Sequence, residues 1–193
     1  NWKVIPQWES YQQLLQAFKT VQNQRLYNDT EIPSFLRRIT WLYSEDGCFQ
    51  RAAHIAIQFN KMALPKVKQL FIFNHITNNW TYHVAPVARV NGQVYVIDPA
   101  MNSNEPIALW RWLNLFTDSS INILSNLCDE TTWDPNGNCQ KYSFDFNDKD
   151  ENKSLRQWRE EFQILERAKL GENAETQLGN NPPWIYIMRP SFL

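Results

Sequence analysis

The sequence predicts an α+β fold in which helices pack on a central antiparallel sheet. Helical patterns come first, strand patterns follow in a block between residues 66 and 98, and helical patterns then return. Short turns join the neighbouring strand segments, which favours antiparallel pairing. The chain has 193 residues, of which 43% are apolar and 14% aromatic, so it can bury one sizeable core. We therefore expect a single domain over residues 1–193.

Four segments have the pattern of amphipathic helices. Residues 8–24 contain a Ser-x-x-Gln capping box at Ser10, followed by apolar side chains three and four residues apart. A second helix is predicted from Cys48, a third over residues 106–116 with a proline at its first position, and a fourth from Ser154. In the fourth helix the side chains expected to face inward are Leu155, Trp158, Phe162 and Leu165.

The predicted strands are short segments rich in β-branched and aromatic residues. They cover residues 66–73, 80–85, 94–98 and, near the end of the chain, 184–188. The second and third are separated by a short turn that contains Asn91-Gly92, so a hairpin should bring them side by side.

Charge and hydropathy exclude some classes of function. The chain has 19 basic and 20 acidic residues, which gives no basic surface of the kind that binds nucleic acid. No apolar run approaches the roughly 18 to 20 residues that a membrane span needs. The first residue is Asn1, as expected of a processed product or of a fragment.

Cys48 follows a turn-forming run at residues 44–47 and opens a predicted helix. The first turn of a helix has free backbone N–H groups and the positive end of the helix dipole, and both favour a thiolate. Most cysteines that are not in disulfides are small buried hydrophobic residues, so the position at the helix start is what distinguishes this one. We interpret Cys48 as a candidate nucleophile.

His83 and Asp98 complete a possible catalytic set. His83 lies on one strand of the predicted hairpin, and Asp98 lies near the end of the other, so the carboxylate can reach the imidazole. A thiol, an imidazole and a carboxylate in this chain order make a nucleophile, its base and an orienting group. This combination is typical of a cysteine-dependent acyl-transfer enzyme.

Three short motifs carry a resemblance to a known family. They are Asp46-Gly47-Cys48-Phe49-x-Arg51-Ala52, Trp80-x-Tyr82-His83-Val84-Ala85 and Ile97-Asp98-Pro99. In this order they resemble the catalytic blocks of bacterial protein glutaminase, a protein-glutamine deamidase with a papain- and transglutaminase-like core. The resemblance covers residues 46–101, about a third of the chain.

The resemblance implies that a glutamine side-chain amide in a protein or peptide is hydrolysed to glutamate and ammonia, with no cofactor. It implies Cys48 as the nucleophile that forms a thioester, His83 as base and then acid, and Asp98 as the group that fixes the imidazole tautomer. The backbone N–H of Cys48 is the natural oxyanion donor. It also allows an N-terminal docking or pro-segment helix within residues 1–30, although a core or edge helix is the simpler expectation.

Two alternatives share the same residues. Transglutaminase-like and papain-like cysteine enzymes have the same order of catalytic groups, so cross-linking or peptide cleavage remains open. A binding module with an idle triad is the other alternative, and the presence of all three residues argues against it.

Further candidate residues surround this set. Trp80, Tyr82 and Trp110 are predicted to line the cleft, because the methylenes of a glutamine side chain need an apolar slot; the alternative is that they belong to the core. Arg51 is predicted either to brace Asp46 or another carboxylate, or to be a surface residue.

Cys128 and Cys139 lie eleven positions apart and leave Cys48 as the odd thiol. An even pair plus one reactive cysteine suggests an exported enzyme, secreted, periplasmic or delivered as a toxin or effector, with one disulfide. Two unpaired thiols in a cytosolic protein are the alternative. We expect a monomer whose partner is a glutamine-containing protein or peptide.

No metal site is predicted. The motif Asp134-x-Asn136-x-Asn138 resembles the start of a calcium loop, but Cys139 stands where such a loop needs glycine. His54 and His75 are interpreted as packed or surface residues, and neither forms a metal site with Cys48.

Overall fold

The structure is a computed structural model that describes residues 2–24, 26, 38–73, 80–116, 123–147 and 153–171. A short 3-10 helix covers Trp2–Val4. The α-helices are α1 (Tyr11–Asn23), α2 (Cys48–Lys61), α3 (Leu109–Leu113) and α4 (Lys153–Leu170). The strands are β1 (Gln7–Trp8), β2 (Lys68–Phe73), β3 (Tyr82–Val90), β4 (Gln93–Val96), β5 (Ile107–Ala108), β6 (Leu124–Cys128), β7 (Thr132–Asp134) and β8 (Tyr142–Ser143). The predicted α+β class is confirmed.

The main sheet has the strand order β5-β4-β3-β2-β6, and all of these neighbours are antiparallel. Strand β1 adds to it by pairing in parallel with the end of β3. Strands β7 and β8 form a separate two-stranded sheet. The expected strand over residues 184–188 and the residue His75 lie outside the described part of the chain.

Both faces of the main sheet are covered. One face packs against α1, α2 and α4 through large apolar side chains such as Phe18, Phe59 and Phe162. The other face packs against α3 and the chain around it through Trp112 and Phe116. Because neighbouring residues of a strand point to opposite faces, β2 contributes Phe71 to the first cluster and Leu70 and Ile72 to the second.

Helix α1 begins where the sequence predicts. The side chain of Ser10 accepts a hydrogen bond from the backbone N–H of Gln13, which satisfies one free donor of the first turn. The expected return bond is displaced by one residue, since the Gln13 side chain accepts from the N–H of Glu9 and not from that of Ser10. The buried residues of α1 are Leu14, Ala17, Phe18 and Val21, so α1 is part of the core.

The hairpin between β3 and β4 turns at Asn91-Gly92, and both residues have positive φ, 49° and 83°. This backbone conformation suits a two-residue hairpin turn. The last paired residue of β4 is Val96, opposite Val87, so Asp98 is not in the strand as predicted but two residues beyond it. The chain follows β3 a little further, because the N–H of Ile97 bonds the carbonyl of Pro86 at 2.8 Å.

The helix predicted over residues 106–116 is shorter, and Pro106 is not its first residue. Ile107–Ala108 pair with Val96 and Tyr95 as strand β5, so the helix starts only at Leu109. Pairing with the sheet edge supplies backbone hydrogen bonds that an early helical turn would leave unmade.

In α4 the predicted inward face is partly wrong. Leu155 and Phe162 are buried, but Trp158 and Leu165 are 38% and 37% exposed. Gln163 and Glu166 are buried instead. Glu166 pairs with Arg38 at 2.8 Å and accepts the N–H of Leu42 at 3.1 Å. Within the described residues, no helix combines the length and the apolar character that crossing a membrane requires.

Candidate active site

Cys48 is the first residue of α2, as predicted, and it is a free thiol that is 9% exposed. It lies in a cleft of about 130 Å³. The cleft is lined by Ser44, Glu45, Asp46, Cys48, Phe49, Trp80, Thr81, Tyr82 and His83. Among the described residues, the aromatic side chains of Phe49, Trp80 and Tyr82 line the cleft beside the thiol.

Gly47 makes the sharp entry into α2 possible. Its φ is +74°, a left-handed conformation that glycine adopts at little cost. A Cβ atom at this position would lie 2.9 Å from Cδ2 of Phe162 on α4. Both the backbone conformation and the close packing therefore require glycine directly before Cys48.

Arg51 braces the loop that leads to Cys48. It is buried, and its Nη1 donates to the backbone carbonyls of Tyr43 and Asp46, each at 2.7 Å, and of Thr40 at 3.4 Å. The predicted surface position is wrong, and Arg51 does brace Asp46, but through the backbone carbonyl and not through the carboxylate. The guanidinium instead holds three carbonyls of one loop, so it stabilises the backbone just before the thiol.

His83 and Asp98 meet as the hairpin predicts. Nε2 of His83 lies 2.8 Å from Oδ2 of Asp98, and both side chains are buried. Cys48 lines the same cleft as His83, and its interaction with the ring contributes to the raised pKa of His83. Because Nε2 is taken up by the carboxylate, Nδ1 is the ring nitrogen left for the thiol. The structure thus brings together the three residues that sequence analysis selected.

The electrostatic balance at His83 favours the charged ring. Burial lowers its pKa, but the hydrogen bond and charge of Asp98, together with those of Cys48, outweigh burial and raise the pKa to about 9. The pKa of Asp98 is lowered: burial opposes this, but His83, the indole of Trp112 and the charge of Arg51 prevail. At neutral pH the pair is therefore an imidazolium and a carboxylate.

Sequence analysis missed Trp112. This residue of α3 is fully buried, and its Nε1 donates to Oδ2 of Asp98 at 3.0 Å. The sequence places it only within the helix predicted over residues 106–116. The one available signal was its distance of fourteen residues from Asp98 in a segment that must fold back onto the hairpin.

Aromatic rings enclose the imidazole of His83. The Trp80 ring is stacked on it at 4.9 Å and 17°, and the rings of Phe116 and Trp112 lie 5.1 and 5.5 Å away. His83 is opposite Ile72 in the sheet register and so shares the face that Trp112 and Phe116 cover. Phe116 was not singled out from the sequence.

Of the three predicted cleft residues, Trp80 and Tyr82 line the cleft and Trp110 does not. Trp110 is 61% exposed and lines a separate groove near Tyr95 and Ile107. The physical reason is helix geometry: Trp110 and Trp112 are two positions apart, so their side chains are about 200° apart around α3, and only Trp112 faces the site.

Tyr82 lies beside the thiol. Its pKa is raised by burial first and then by electrostatic interaction with Cys48, Asp134 and Asp46. The hydroxyl therefore stays protonated at all physiological pH values and can act only as a neutral polar group.

Strand β7 packs behind Phe49, which lines the cleft. Trp133 of this strand packs against Phe49 at 5.0 Å between ring centroids. Cys128, at the end of β6, and Cys139, beyond β7, form a disulfide with their Cα atoms 5.3 Å apart. The disulfide closes the segment that carries Trp133.

His54, which sequence analysis interpreted as a packed or surface residue, is 3% exposed and lies 3.0 Å from the Gln24 side chain. Within the described ranges, no group of three or more His, Cys, Asp or Glu side chains could hold a metal ion.

Comparison with known proteins points to one family. A family model described as glutaminase matches residues 14–116. This stretch contains Cys48, His83 and Asp98, together with Trp80, Trp112 and Phe116. No curated protein sequence matches the chain.

The similar solved structures are protein-glutaminases. Pro-protein-glutaminase is 20% identical, with a TM-score of 0.50, over 65% of this chain and 49% of that one. A mutant of the pro-protein gives 19% identity and a TM-score of 0.51 over the same shares. The NMR structure of protein-glutaminase from Chryseobacterium proteolyticum gives 18% identity and a TM-score of 0.51, over 66% of this chain and 75% of that one. The chain spans about half the length of the pro-proteins it matches. At this level of identity, the similarity to the solved structures shows a shared fold.

Proposed function

The chain belongs to the glutaminase family, and on this basis we propose that it is a protein-glutamine deamidase, a hydrolase that converts glutamine side chains of proteins or peptides to glutamate and ammonia. The observation that carries the proposal is the arrangement around His83. Its Nε2 is bound to Asp98 at 2.8 Å, while the same ring interacts with the thiol of Cys48 at the start of α2. A nucleophile and its base in one cleft, with a buried carboxylate that orients the base, are what acyl transfer requires.

Acylation begins with attack of the Cys48 sulfur on the carboxamide carbon of the substrate. The C–S bond forms as the carbonyl π electrons move to oxygen, and the N–H groups of the first turn of α2 face the developing charge. When the oxyanion collapses, the C–N bond breaks, and His83 donates its proton to the departing nitrogen. Ammonia leaves, and the substrate is held as a thioester.

Deacylation uses the same imidazole in the opposite direction. Neutral His83 takes a proton from water, and the resulting oxygen nucleophile attacks the thioester carbon. The C–S bond breaks, the thiolate returns, and the product is a glutamate carboxyl group. One water is consumed and one ammonia released for each glutamine, and no cofactor is needed.

The cleft supports a glutamine side chain as the group that enters. Its volume is about 130 Å³, and Trp80 and Tyr82 contribute flat apolar walls beside the thiol. Methylene groups gain free energy by leaving water for such walls, while the amide reaches the polar end of the slot. We assign Trp80 and Tyr82 to substrate binding.

Export is proposed from the cysteine arrangement. Disulfides such as Cys128–Cys139 persist in oxidising compartments, whereas thiols are kept reduced in the cytosol. A secreted or periplasmic enzyme, or one delivered as an effector, would meet substrate proteins there as a monomer.

The test is ammonia release together with intact-mass measurement on casein, using wild type and Cys48→Ala. We expect ammonia and a gain of about one dalton per event, since –NH2 is replaced by –OH. Cross-linked casein that releases ammonia without the one-dalton gain would replace the proposal by transglutaminase-like chemistry, because a lysine amine and not water then takes the acyl group. Cleaved casein without free ammonia would replace it by papain-like chemistry. Ammonia release that survives Cys48→Ala would remove Cys48 from the mechanism.

A further inference from the structure

We propose that Trp112 is a positioning residue for the reaction, because its indole N–H holds the Asp98 carboxylate in the orientation in which that carboxylate holds His83. The inference rests on the function proposed for the same site. One oxygen atom accepts two hydrogen bonds: Oδ2 of Asp98 accepts from Nε2 of His83 at 2.8 Å and from Nε1 of Trp112 at 3.0 Å.

Two donors on one oxygen restrict the carboxylate in a way that one donor does not. With His83 as its only partner, the carboxylate could rotate about its Cβ–Cγ bond and the imidazole could follow it. A second donor from another direction leaves one rotation that satisfies both bonds. All three side chains are buried, so water does not compete for Oδ2.

Trp112 is itself held firmly. It lies on α3, directly after β5, whose Ile107 pairs with Val96 of β4 in the main sheet. The Trp112 ring packs edge-to-face on Phe116 at 5.0 Å and tilted against His83 at 5.5 Å. The indole is therefore tied to the hairpin that carries both triad members, which is the support a catalytic group needs to keep its geometry.

Trp112 does not line the cleft, whereas Trp80 does. Substrate therefore touches Trp80 and not Trp112. A positioning role through Asp98 predicts a loss in kcat with KM unchanged, because the orientation of the catalytic base matters more in the transition state than for substrate binding.

The experiment compares three proteins on a glutamine peptide: wild type, Trp112→Phe, and a protein with 3-benzothienylalanine at position 112. The last keeps the indole shape but has sulfur in place of N–H. Trp110→Phe on the exposed side of the same helix is the matched control. Both changes at 112 should lower kcat about tenfold, as expected for one hydrogen bond to a charged group, and leave KM within about twofold. Trp110→Phe should match wild type.

A second measurement separates positioning from packing. The rate at which iodoacetamide alkylates Cys48, followed against pH, reports the protonation of His83 beside the thiol. A carboxylate that is free to rotate supports the imidazolium less, so the titration of His83 should move to lower pH in both Trp112 proteins. An unchanged profile, or activity restored by benzothienylalanine, would show that Trp112 only fills space. A move to higher pH would show that the carboxylate stays oriented without it, and would also overturn the proposal.

Alkylation requires no turnover, so the two proposals fail separately. If wild type deamidates glutamine but the Trp112 proteins equal it in kcat and profile, only the positioning role is lost. If no substrate is deamidated but the alkylation profile moves as expected, the proposed function fails and the positioning role stands. An Asp98→Asn, Trp112→Phe double variant should be no slower than Asp98→Asn alone, because Trp112 acts through that carboxylate.

Discussion

The ring of Phe162 occupies the space that a side chain at Gly47 would need. A Cβ built on Gly47 would lie 2.9 Å from Cδ2 of Phe162 and 3.3 Å from Nη1 of Arg51. Residues that are 115 positions apart in the chain are thus in direct contact beside the candidate nucleophile. The loop before Cys48 therefore packs on α4 as well as leading into α2.

Gly47→Ala tests this contact. The change places a Cβ in a left-handed backbone conformation, which costs about 1 kcal/mol, and also against Phe162. We expect a loss of about 2 to 3 kcal/mol in the free energy of unfolding, since overpacking adds to the strain. The control is Gly92→Ala, whose φ is +83° but whose Cβ would have no neighbour within 4 Å. If urea unfolding gave equal losses in the free energy of unfolding for the two variants, the ring of Phe162 would have moved aside at little cost.

Cys48→Ala should abolish ammonia release and leave the fold intact. The nucleophile has no substitute, and alanine is tolerated at a helix start. The free energy of unfolding should change by about 1 kcal/mol or less, because the thiol makes few packing contacts that a methyl group lacks. Circular dichroism and urea unfolding check the fold. A large loss of stability would mean that the variant says nothing about chemistry, and Cys48→Ser would then be the variant to measure.

The pH dependence should follow His83. Its pKa is raised from 6.5 to about 9, so the imidazolium that donates a proton to ammonia is lost as pH rises through about 9. The free energy of unfolding should change in the same direction. The stabilisation that His83 contributes through its raised pKa is complete below about pH 6.5 and is lost as pH rises through about 9. We expect kcat/KM to fall on the basic side near pH 9.

Asp98→Asn should move that basic limb to lower pH. The substitution removes the carboxylate whose hydrogen bond and charge raise the pKa of His83, while the burial that lowers it remains. Residual activity should exceed that of Cys48→Ala or His83→Ala, since nucleophile and base are both retained. A basic limb that stays where it is in wild type would assign the raised pKa to Cys48 alone.

Glu166→Gln tests the buried pair that anchors α4. Glu166 is almost fully buried and binds Arg38 and the N–H of Leu42, so the substitution removes one charge of a buried ion pair. We expect a loss of about 3 to 5 kcal/mol. Lys169, on the same helix as Glu166, forms an exposed ion pair with Glu45 of the loop before α2. Lys169→Ala breaks this pair and should lower the free energy of unfolding by about 1 kcal/mol or less. Thermal unfolding of both variants gives the comparison.

The disulfide predicts a simple thiol count. Of three cysteines only Cys48 is free, so alkylation in denaturant should modify one residue, and three after reduction. Replacing Cys128 and Cys139 by alanine should lower the free energy of unfolding by about 2 to 4 kcal/mol. Alkylation of all three thiols without reductant would remove the disulfide and the argument for export.

The sequence predicts the parts of this site that depend on local pattern and chemical type. Gly47 and Cys48 indicate the start of a helix, and the hairpin with its Asn-Gly turn brings His83 near Asp98. Asp98 was placed in the strand because the apolar run continues to it, whereas ladder pairing stops at Val96.

The remaining parts depend on contacts between distant elements. Trp110 and Trp112 are the same residue type on one short helix, and only its rotation against the sheet decides which one reaches Asp98. Glu166 has an ordinary position in an amphipathic helix, and its burial follows from Arg38, which is 128 residues away. No periodicity encodes such pairings, so sequence analysis assigned the inward face of α4 to Trp158 and Leu165 instead.

The packing of α4 on the loop before Cys48 also bears on the order of events during synthesis. A chain emerges from its amino terminus, so Cys48, His83 and Asp98 all become available well before Phe162 and Glu166. Contacts over such long separations form late, because closing the intervening loop costs entropy that local contacts do not. The nascent chain therefore carries its thiol without the ring that closes on Gly47 until α4 has been synthesised, and we expect activity to appear only after α4 has docked.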